Sequence, residues 1–482
     1  MAEVSGQAGL RECLSVCLFV LRRINPEFVS LKGHAMQRFR TLLLMTACAA
    51  GLVAAAPVTL PNFPDFGFFP PATERAEPIR AFRLSQDYPA EKPAPDTAVQ
   101  RILAIDYTKD WRAYAEAVKA YAFAGNIKGG NPDNDFFLED NQVRRWYHVP
   151  WQHYGVFGRE GLHGMTNEIG IVPGTLAPTQ VTKWQTYAVG FYNAPGGWAI
   201  GRMWADPRNP RLNALATGGG FPVGTVVAKL LFTTATVNEV PYLSNPVQWF
   251  GYVMTAPYAS GKPPPPRLIQ QLRLVQMDIL VRDDRALANG GWVFGTFVYN
   301  GFQNKPNLWD NLVPVGLQWG NDPTVTSQQP GGINPAVTWI NPDLRETAIN
   351  PDSKKLPPQH LGFGGRLAGP VDNNMSSCQS CHSTGEFPQV SSMVPSGVGK
   401  DGSALKPGGP GWMHWFRNIP HGQAFDSDAW TTDSSLQSSG GLQNFLTART
   451  AATAGSYAVQ FPTGKPVQAI RRDGSDAADD TK

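Results

Sequence analysis

Five consecutive residues constrain this 482-residue chain more than any other segment, because they read Cys378-Gln379-Ser380-Cys381-His382. Two residues between the thiols allow both sulfurs to reach the two vinyl groups at one edge of a porphyrin. The histidine that follows is then placed under the ring, where its imidazole can coordinate iron. The motif predicts one covalent haem c, with thioethers at Cys378 and Cys381 and His382 as the proximal iron ligand.

A lone Cys-x-x-Cys pair has two other common uses, and the flanking residues favour neither. A thioredoxin-like redox pair begins a helix directly after a strand, usually with Trp or Pro nearby. The residues before Cys378, from Asn373 to Ser377, are instead polar and loop-like. A zinc ribbon needs a second Cys or His pair at close spacing, and His382 is the only such neighbour.

The remaining cysteines fall in a segment that has the pattern of a removable leader: Cys13, Cys17 and Cys48. From Met36 the chain shows a basic stretch, a short apolar run and a small-residue zone, and we expect cleavage before Ala56. Met36 is then the real initiator, and residues 1–35 come from a start site assigned too far upstream (a mis-start). A membrane anchor over residues 14–55 is the alternative, but arginines interrupt every apolar run of about 20 residues. We therefore expect no stable membrane span and export to the periplasm or beyond, where the cytochrome c maturation machinery attaches haem.

The composition indicates a globular, loop-rich chain. Apolar residues make up 42%, charged residues 16%, and the formal net charge is +3, which is too weak to indicate nucleic acid or an anionic membrane as a partner. Gly (49) and Pro (42) together occupy nearly a fifth of the positions, well above ordinary usage. The 14 Trp, 13 Tyr and 25 Phe suffice for a large core.

Local patterns predict one clear helix and several strands. The helix covers 108–124, with Thr108 as its N-cap and a stop at Gly125-Asn126. Residues 300–377 are expected to be loops. The predicted strands are Trp184–Tyr192, Trp198–Trp204, Gly224–Thr234, Leu272–Arg282 and Trp292–Tyr299.

Strands without intervening helices favour an antiparallel sheet. The predicted fold class is mainly β / α+β: a loop-rich body with an antiparallel sheet and a few helices, and c-haem attached near the C-terminal part. The expected organisation is 1–55 mis-start plus signal peptide, 56–98 Pro-rich extended segment, 99–364 β-rich body, 365–464 haem-attachment region and 465–482 disordered tail.

A second group of polar residues lies in 144–168: His148, His153 and His163, with Arg144, Arg145, Arg159, Glu160 and Glu168. A distal pocket acting on a small oxidant needs a histidine to shuttle protons and an arginine to stabilise negative charge. The spacings give no regular metal geometry, and Pro150 argues against a helix. We favour the interpretation that these histidines are hydrogen-bonded and structural.

The order of three motifs resembles that of the cytochromes c′-beta and their relatives with a lysine cross-linked haem. The order is Gly224-Thr225-Val226-Val227-Ala228-Lys229, then Gly290-Gly291-Trp292, then Cys-x-x-Cys-His, over about residues 221–385. The resemblance implies a c-haem against an antiparallel sheet with an open distal face, and Lys229 as the cross-linking lysine. The chain departs from that family in its length and in the hundred residues that follow the motif.

The competing picture is an ordinary helical cytochrome c domain at residues 365–482. The resemblance to such domains implies a distal methionine ligand after the motif, and Met413 is the candidate. His414 and His421 are the alternatives. The segment before Cys378 lacks the aromatic-rich amphipathic helix that such domains carry.

These patterns predict a periplasmic monohaem c-type cytochrome that transfers electrons to or from a periplasmic redox partner. The alternative is a haem enzyme or binder with an open distal site, acting on a peroxide, a nitrogen oxide or a hydroxylamine-like molecule. A third possibility is that the body binds an organic substrate from which the haem removes electrons. The coordination number of the iron separates the first two.

Overall fold

The computed structural model describes residues 67–71, 80–258, 262–327, 335–344, 361–395, 398 and 402–452. All of them belong to the compact unit that spans Leu60–Lys482. The leader with its expected cleavage site and the tail at 465–482 lie outside the described residues, so the predictions made for them stay predictions.

An antiparallel sheet of eight strands forms the centre of the described chain. Its strand order is β1-β2-β3-β5-β6-β7-β8, and β4 pairs with the first half of β5. The strands are β1 (Thr166–Ile171), β2 (Trp184–Tyr192), β3 (Val226–Thr233), β4 (Gln248–Met254), β5 (Arg267–Arg282), β6 (Trp292–Tyr299), β7 (Leu312–Gln318) and β8 (Thr338–Ile340). A separate two-stranded ribbon pairs β9 (Glu386–Phe387) with β10 (Trp430–Thr431). The predicted mainly β / α+β class is confirmed.

The helices are few and mostly short. In the described ranges they are α1 (Thr97–Ala104), α2 (Trp111–Phe123), α3 (Ala194–Met203), α4 (Ala214–Thr217), α5 (Cys378–Ser383), α6 (Pro410–Met413) and α7 (Leu436–Ala452).

The first face of the sheet is covered by α2. Tyr114, Val118 and Tyr121 recur at helical spacing and join the same apolar cluster as the first-face side chains of β5 and β6. Fully burying each such side chain contributes about 1.5–3 kcal/mol. The helix begins at Trp111 rather than at 108, and its N-cap is Asp110, whose Oδ1 accepts the Ala113 N–H at 3.0 Å. The predicted cap, Thr108, is wrong because its hydroxyl is bonded to Asp106 instead.

The second face of the sheet carries the C-terminal part of the described chain. On β6, Trp292, Phe294 and Thr296 alternate with Val293 and Phe297 of the first face, and every residue of the strand is buried. The second-face cluster joins the sheet to α3, β9 and α7, through Val227, Leu280, Trp292, Phe294, Ile200, Met203, Phe387, Leu442 and Phe445.

Two predictions about local structure are wrong. The stretch Trp198–Trp204, predicted as a strand, lies largely in α3. Its glycines allow close packing of a helix: a Cβ on Gly197 would lie 2.4 Å from the Tyr147 ring. Residues 300–377, predicted as loops, contain β7 and β8. An internal Pro314 and the three-residue length of β8 weaken both strand signals.

The described part of residues 365–482 does not form the separate helical domain of the competing picture. Helices α5 and α6 are only six and four residues long. The apolar side chains of α7, including Leu442 and Phe445, pack into the same cluster as Phe294 of the sheet. The region that carries the motif is therefore built onto the sheet.

Candidate haem-attachment site

The motif forms helix α5, and the residues before it explain why. Ser377 is the N-cap: its Oγ accepts the Ser380 N–H at 3.2 Å, while Ser380 Oγ accepts the Ser377 N–H at 2.9 Å. This reciprocal capping box satisfies two N–H groups that a helix leaves unpaired at its start. Positions i, i+3 and i+4 share one side of a helix, so Cys378, Cys381 and His382 are presented together.

The opposite side of α5 is anchored in the protein. Gln379 is fully buried, and its Nε2 donates to the Asn289 carbonyl at 2.7 Å. Its backbone N–H donates to Gln318 Oε1 at 3.2 Å. Ser383 is buried as well, and its Oγ donates to the Gln379 carbonyl at 2.8 Å. The two cysteines and His382, on the other side, are half-buried.

The imidazole of His382 has one nitrogen occupied and one open. The Ser434 carbonyl lies 2.8 Å from Nδ1, and because a carbonyl only accepts, Nδ1 carries the proton. Among the described residues, Nε2 has no hydrogen-bond partner. The ring packs at 5.1 Å from the Phe294 ring, and burial lowers its pKa to about 4. A neutral ring with Nδ1–H bonded to a carbonyl is the arrangement that metal-ligating histidines adopt.

The Ser434 carbonyl is supplied by a loop that follows β10. The ribbon of β9 and β10 brings this loop beside α5, and the Thr432 N–H donates to the Gly385 carbonyl at 2.9 Å. Gly385 is required by the close approach: a Cβ there would lie 2.9 Å from the carbonyl carbon of Ser434. A chain segment 52 residues beyond the histidine thus fixes its orientation.

Both thiols are held in their protonated form. Burial, and next the charge of Asp372, raises the pKa of Cys381 to about 12. The same two causes raise the pKa of Cys378 well above its ordinary value. A thiol–disulfide exchange pair needs a lowered thiol pKa. The environment therefore disfavours the thioredoxin-like alternative.

A row of polar side chains crosses the second face of the sheet beside the motif. Lys229 and Asp278 are opposite each other on β3 and β5, and Lys229 Nζ lies 3.3 Å from Glu168 Oε2. Gln276 Nε2 donates to Asp278 at 2.8 Å and to Asp372 at 3.1 Å. Lys229 is close enough for its charge to lower the pKa of both Cys381 and His382.

Asp278 in this row is a carboxyl that resists ionisation. Burial, together with the negative charge of Asp372, raises its pKa to about 7, against the opposing charge of Lys229. Thr296 donates its hydroxyl to the same carboxyl. The row therefore contains a proton donor or acceptor for neutral pH, within electrostatic reach of Cys378.

Two of the histidines in 144–168, His148 and His163, are hydrogen-bonded within the packed body. His148 is buried, and its Nδ1 accepts the Ser85 N–H at 3.0 Å. The ring nitrogens of His163 each lie 2.9 Å from a carbonyl oxygen, those of Phe250 and Asp133. His153 is buried too.

Some charged residues of the same segment make structural hydrogen bonds, and one lies beside the motif. Glu160 accepts the backbone N–H groups of Leu162, His163 and Met165, and Arg159 donates to the Gly164 carbonyl. Of the residues singled out there, Glu168 is the one that the fold brings to the row beside the motif, through Lys229.

The candidates for a distal ligand have different surroundings. Met413 packs against a third apolar cluster that contains Phe363 and Trp412, whereas His382 packs on Phe294 of the second-face cluster. His414 contacts Arg417 at 3.1 Å. His421 forms an ion pair with Asp433 at 2.9 Å. Met413 as the sixth ligand stays a prediction.

Four residues of the site were not singled out from the sequence: Asp278, Asp372, Asp433 and Ser434. Asp278 and Gln276 did leave a signal, because they are polar residues two apart in the otherwise apolar stretch 274–281. A carbonyl oxygen such as that of Ser434 is independent of side-chain type, so no sequence pattern marks it.

The donor set fits haem c. Two reduced thiols and an open imidazole nitrogen lie on one side of α5, and the second nitrogen is fixed by a carbonyl. The described residues contain no group of three or more His, Cys, Asp or Glu side chains placed to hold a metal ion by themselves. None of the described helices has the length and apolarity needed to span a bilayer.

No family model, curated protein or solved structure matches this chain.

Proposed function

We propose that this chain is a monohaem c-type cytochrome, with thioethers at Cys378 and Cys381 and His382 as the proximal iron ligand. The observation that carries the proposal is the hydrogen bond from His382 Nδ1 to the Ser434 carbonyl, because it leaves Nε2 as the free lone pair. When bound, the haem supplies a one-electron iron couple whose potential depends on ligands, burial and hydrogen bonds. Electron transfer with a periplasmic partner follows as the proposed role.

The chain's own residues have three tasks in this proposal. The capping box at Ser377 and Ser380 holds the motif helical. The Ser434 carbonyl orients the imidazole and keeps its proton on Nδ1. Burial and the charge of Asp372 raise the pKa of Cys378 and Cys381, which favours the thiol form of both sulfurs.

The test is expression in a bacterial periplasm with the maturation machinery present, followed by denaturation and extraction of free haem. The proposal expects haem to stay with the polypeptide, and a peptide containing Cys378 and Cys381 to carry its mass. Extraction of all haem from the denatured wild type would contradict covalent attachment. The His382→Ala variant, matched by His163→Ala, then assigns the ligand: only the first is expected to change the spin state.

A second candidate function is a haem enzyme or binder acting on a small molecule such as a peroxide, a nitrogen oxide or a hydroxylamine-like compound. The observation that favours it is the half-buried row of Lys229, Asp278 and Glu168 beside the motif. Simple electron transfer gives no reason for a lysine and a proton-holding carboxyl there, whereas proton-coupled chemistry uses such groups.

Addition of carbon monoxide to the reduced protein separates the two candidates. An unchanged low-spin spectrum indicates a strong sixth ligand and supports electron transfer, with Met413→Ala as the next variant. A shifted spectrum indicates an open position and supports the second candidate. Peptide mass spectrometry of wild type and Lys229→Arg then shows whether Lys229 is cross-linked, as the resemblance to the cytochromes c′-beta implies.

A further inference from the structure

The loop that supplies the Ser434 carbonyl has an unusual backbone. Asp433 (φ 53°) and Ser434 (φ 62°) are consecutive non-glycine residues in the left-handed region. Side chains other than glycine disfavour this region, so such a pair persists only where surrounding contacts hold it. Here the conformation turns the Ser434 carbonyl toward His382 Nδ1, at 2.8 Å.

Asp433 supplies most of those holding contacts. Its Oδ2 accepts the Phe221 N–H at 2.6 Å, across 212 residues of sequence. Its Oδ1 lies 2.9 Å from His421 Nδ1, and its side chain is almost completely buried. Its own N–H donates to Thr431 Oγ1 at 2.9 Å.

The backbone next to this carboxylate has a glycine where a side chain would collide with it. Gly220 has a φ of 71°, and a Cβ at that position would lie 2.4 Å from Asp433 Oδ2. The residue after the carbonyl is held as well, because Ser435 Oγ lies 2.8 Å from the Tyr192 hydroxyl. The carboxylate thus joins the loop to the turn that precedes β3.

We infer that Asp433 is a positioning residue for the haem ligand: by holding the loop, it fixes the strength of the hydrogen bond from His382 to Ser434. A stronger acceptor at Nδ1 raises the basicity of the ligand, and an electron-rich ligand favours ferric over ferrous iron. Asp433 therefore keeps the reduction potential lower than it would otherwise be. This inference rests on the haem attachment proposed above.

The experiment measures the reduction potential and absorption spectrum of the intact holoprotein with Asp433→Ala and Asp433→Asn. We expect Ala to retain covalent haem and to raise the potential. Asn keeps an oxygen that can accept the Phe221 N–H, so it is expected to restore most of the wild-type potential. The control, Asp310→Ala, removes an exposed aspartate remote in sequence and is expected to change neither readout.

Two milder variants keep the test decisive if Asp433→Ala does not fold. Thr431→Val removes the acceptor for the Asp433 N–H, and His421→Gln removes the ion pair. Each is expected to raise the potential by less than Ala would. Folded variants with wild-type haem content and an unchanged potential overturn the inference alone. A wild-type protein without covalent haem overturns the proposed function instead.

Discussion

The segments around His163 and around His382 use the same side chain in opposite ways. The two ring nitrogens of His163 face the carbonyls of Phe250 and Asp133, and the ring stacks on Trp249 at 4.4 Å. His382 has one nitrogen held by Ser434 and the other open, beside half-buried thiols. Three histidines within 16 residues therefore mark a packed region, whereas a single histidine with an open nitrogen marks the candidate site.

The largest expected effect is loss of covalent haem from the double variant Cys378→Ala/Cys381→Ala, because no thiol then remains in the motif to bond a vinyl group. Acid extraction followed by mass spectrometry measures it. Cys378→Ala alone is the matched control, and it is expected to keep one thioether through Cys381. Haem that remains bound to the denatured double variant would refute the attachment site.

Exchanging the two histidines for alanine tests the comparison directly. His382→Ala is expected to change the spin state of the iron while leaving the fold intact. His163→Ala is expected to keep the spectrum but lose about 1–3 kcal/mol of unfolding free energy, because a buried ring and its hydrogen bond to a backbone carbonyl are removed. Absorption spectra and denaturant titration of both variants provide the measurements. A spectral change in His163→Ala with an unchanged His382→Ala would reverse our assignment.

A pH-dependent effect is expected at Glu386, which lies in the ribbon that brings the Ser434 loop to α5. Burial raises its pKa to about 9 from the 4.5 of an exposed glutamate. As pH rises, the glutamate therefore ionises in the unfolded chain at a lower pH than in the folded chain. The contribution of Glu386 to the free energy of unfolding falls as pH rises from about 4.5 through about 9. The slope is at most about 1.4 kcal/mol per pH unit.

Glu386→Gln removes this titration while retaining an oxygen that can accept the Asp426 N–H. Denaturant unfolding at pH 5, 7 and 8.5 is expected to show an advantage of the variant over wild type that grows with pH. The comparison at pH 5 is the internal reference, since it lies closest to the pKa of the unfolded glutamate and the difference between the two proteins is smallest there. Parallel curves for the two proteins would mean that Glu386 is ionised in the folded state.

The smallest expected effect is that of Ser377→Ala. Loss of an N-cap hydroxyl costs about 1 kcal/mol, and the capping box of α5 is then broken. Thermal unfolding measures the loss, with Ser427→Ala, outside the helices, as the control. Covalent haem content is expected to stay at the wild-type level. A large loss of haem content in Ser377→Ala would show that helix formation at the motif limits attachment.

The predictable part of this fold is the part with strong periodicity. Strands β2 and β6 have the predicted bounds, because aromatic and β-branched residues alternate without interruption there. Part of helix α3 was predicted as the strand Trp198–Trp204 because Gly196 and Gly197 before it indicate a turn, yet these glycines and Gly201 serve close packing against Tyr192, Tyr147 and Tyr88. Contacts with residues distant in sequence make this segment helical, and the local sequence pattern does not show this.

The candidate site likewise has a part that the sequence predicts and a part that it does not. The motif was evident from spacing, because covalent chemistry demands fixed residues at fixed positions. Lys229 was singled out only through a resemblance, and the structure brings it within electrostatic reach of Cys381. Asp433 and Ser434 act through a long-range backbone contact, so their roles required the folded chain.

The most direct test of the central claim is the absorption spectrum of the reduced, periplasmically expressed protein after free haem has been extracted from the denatured chain. We predict that the polypeptide retains the spectrum of a haem held by two thioethers, and that the Cys378–His382 peptide carries its mass. A colourless polypeptide with both thiols free to react, produced where the maturation machinery is active, would contradict the account.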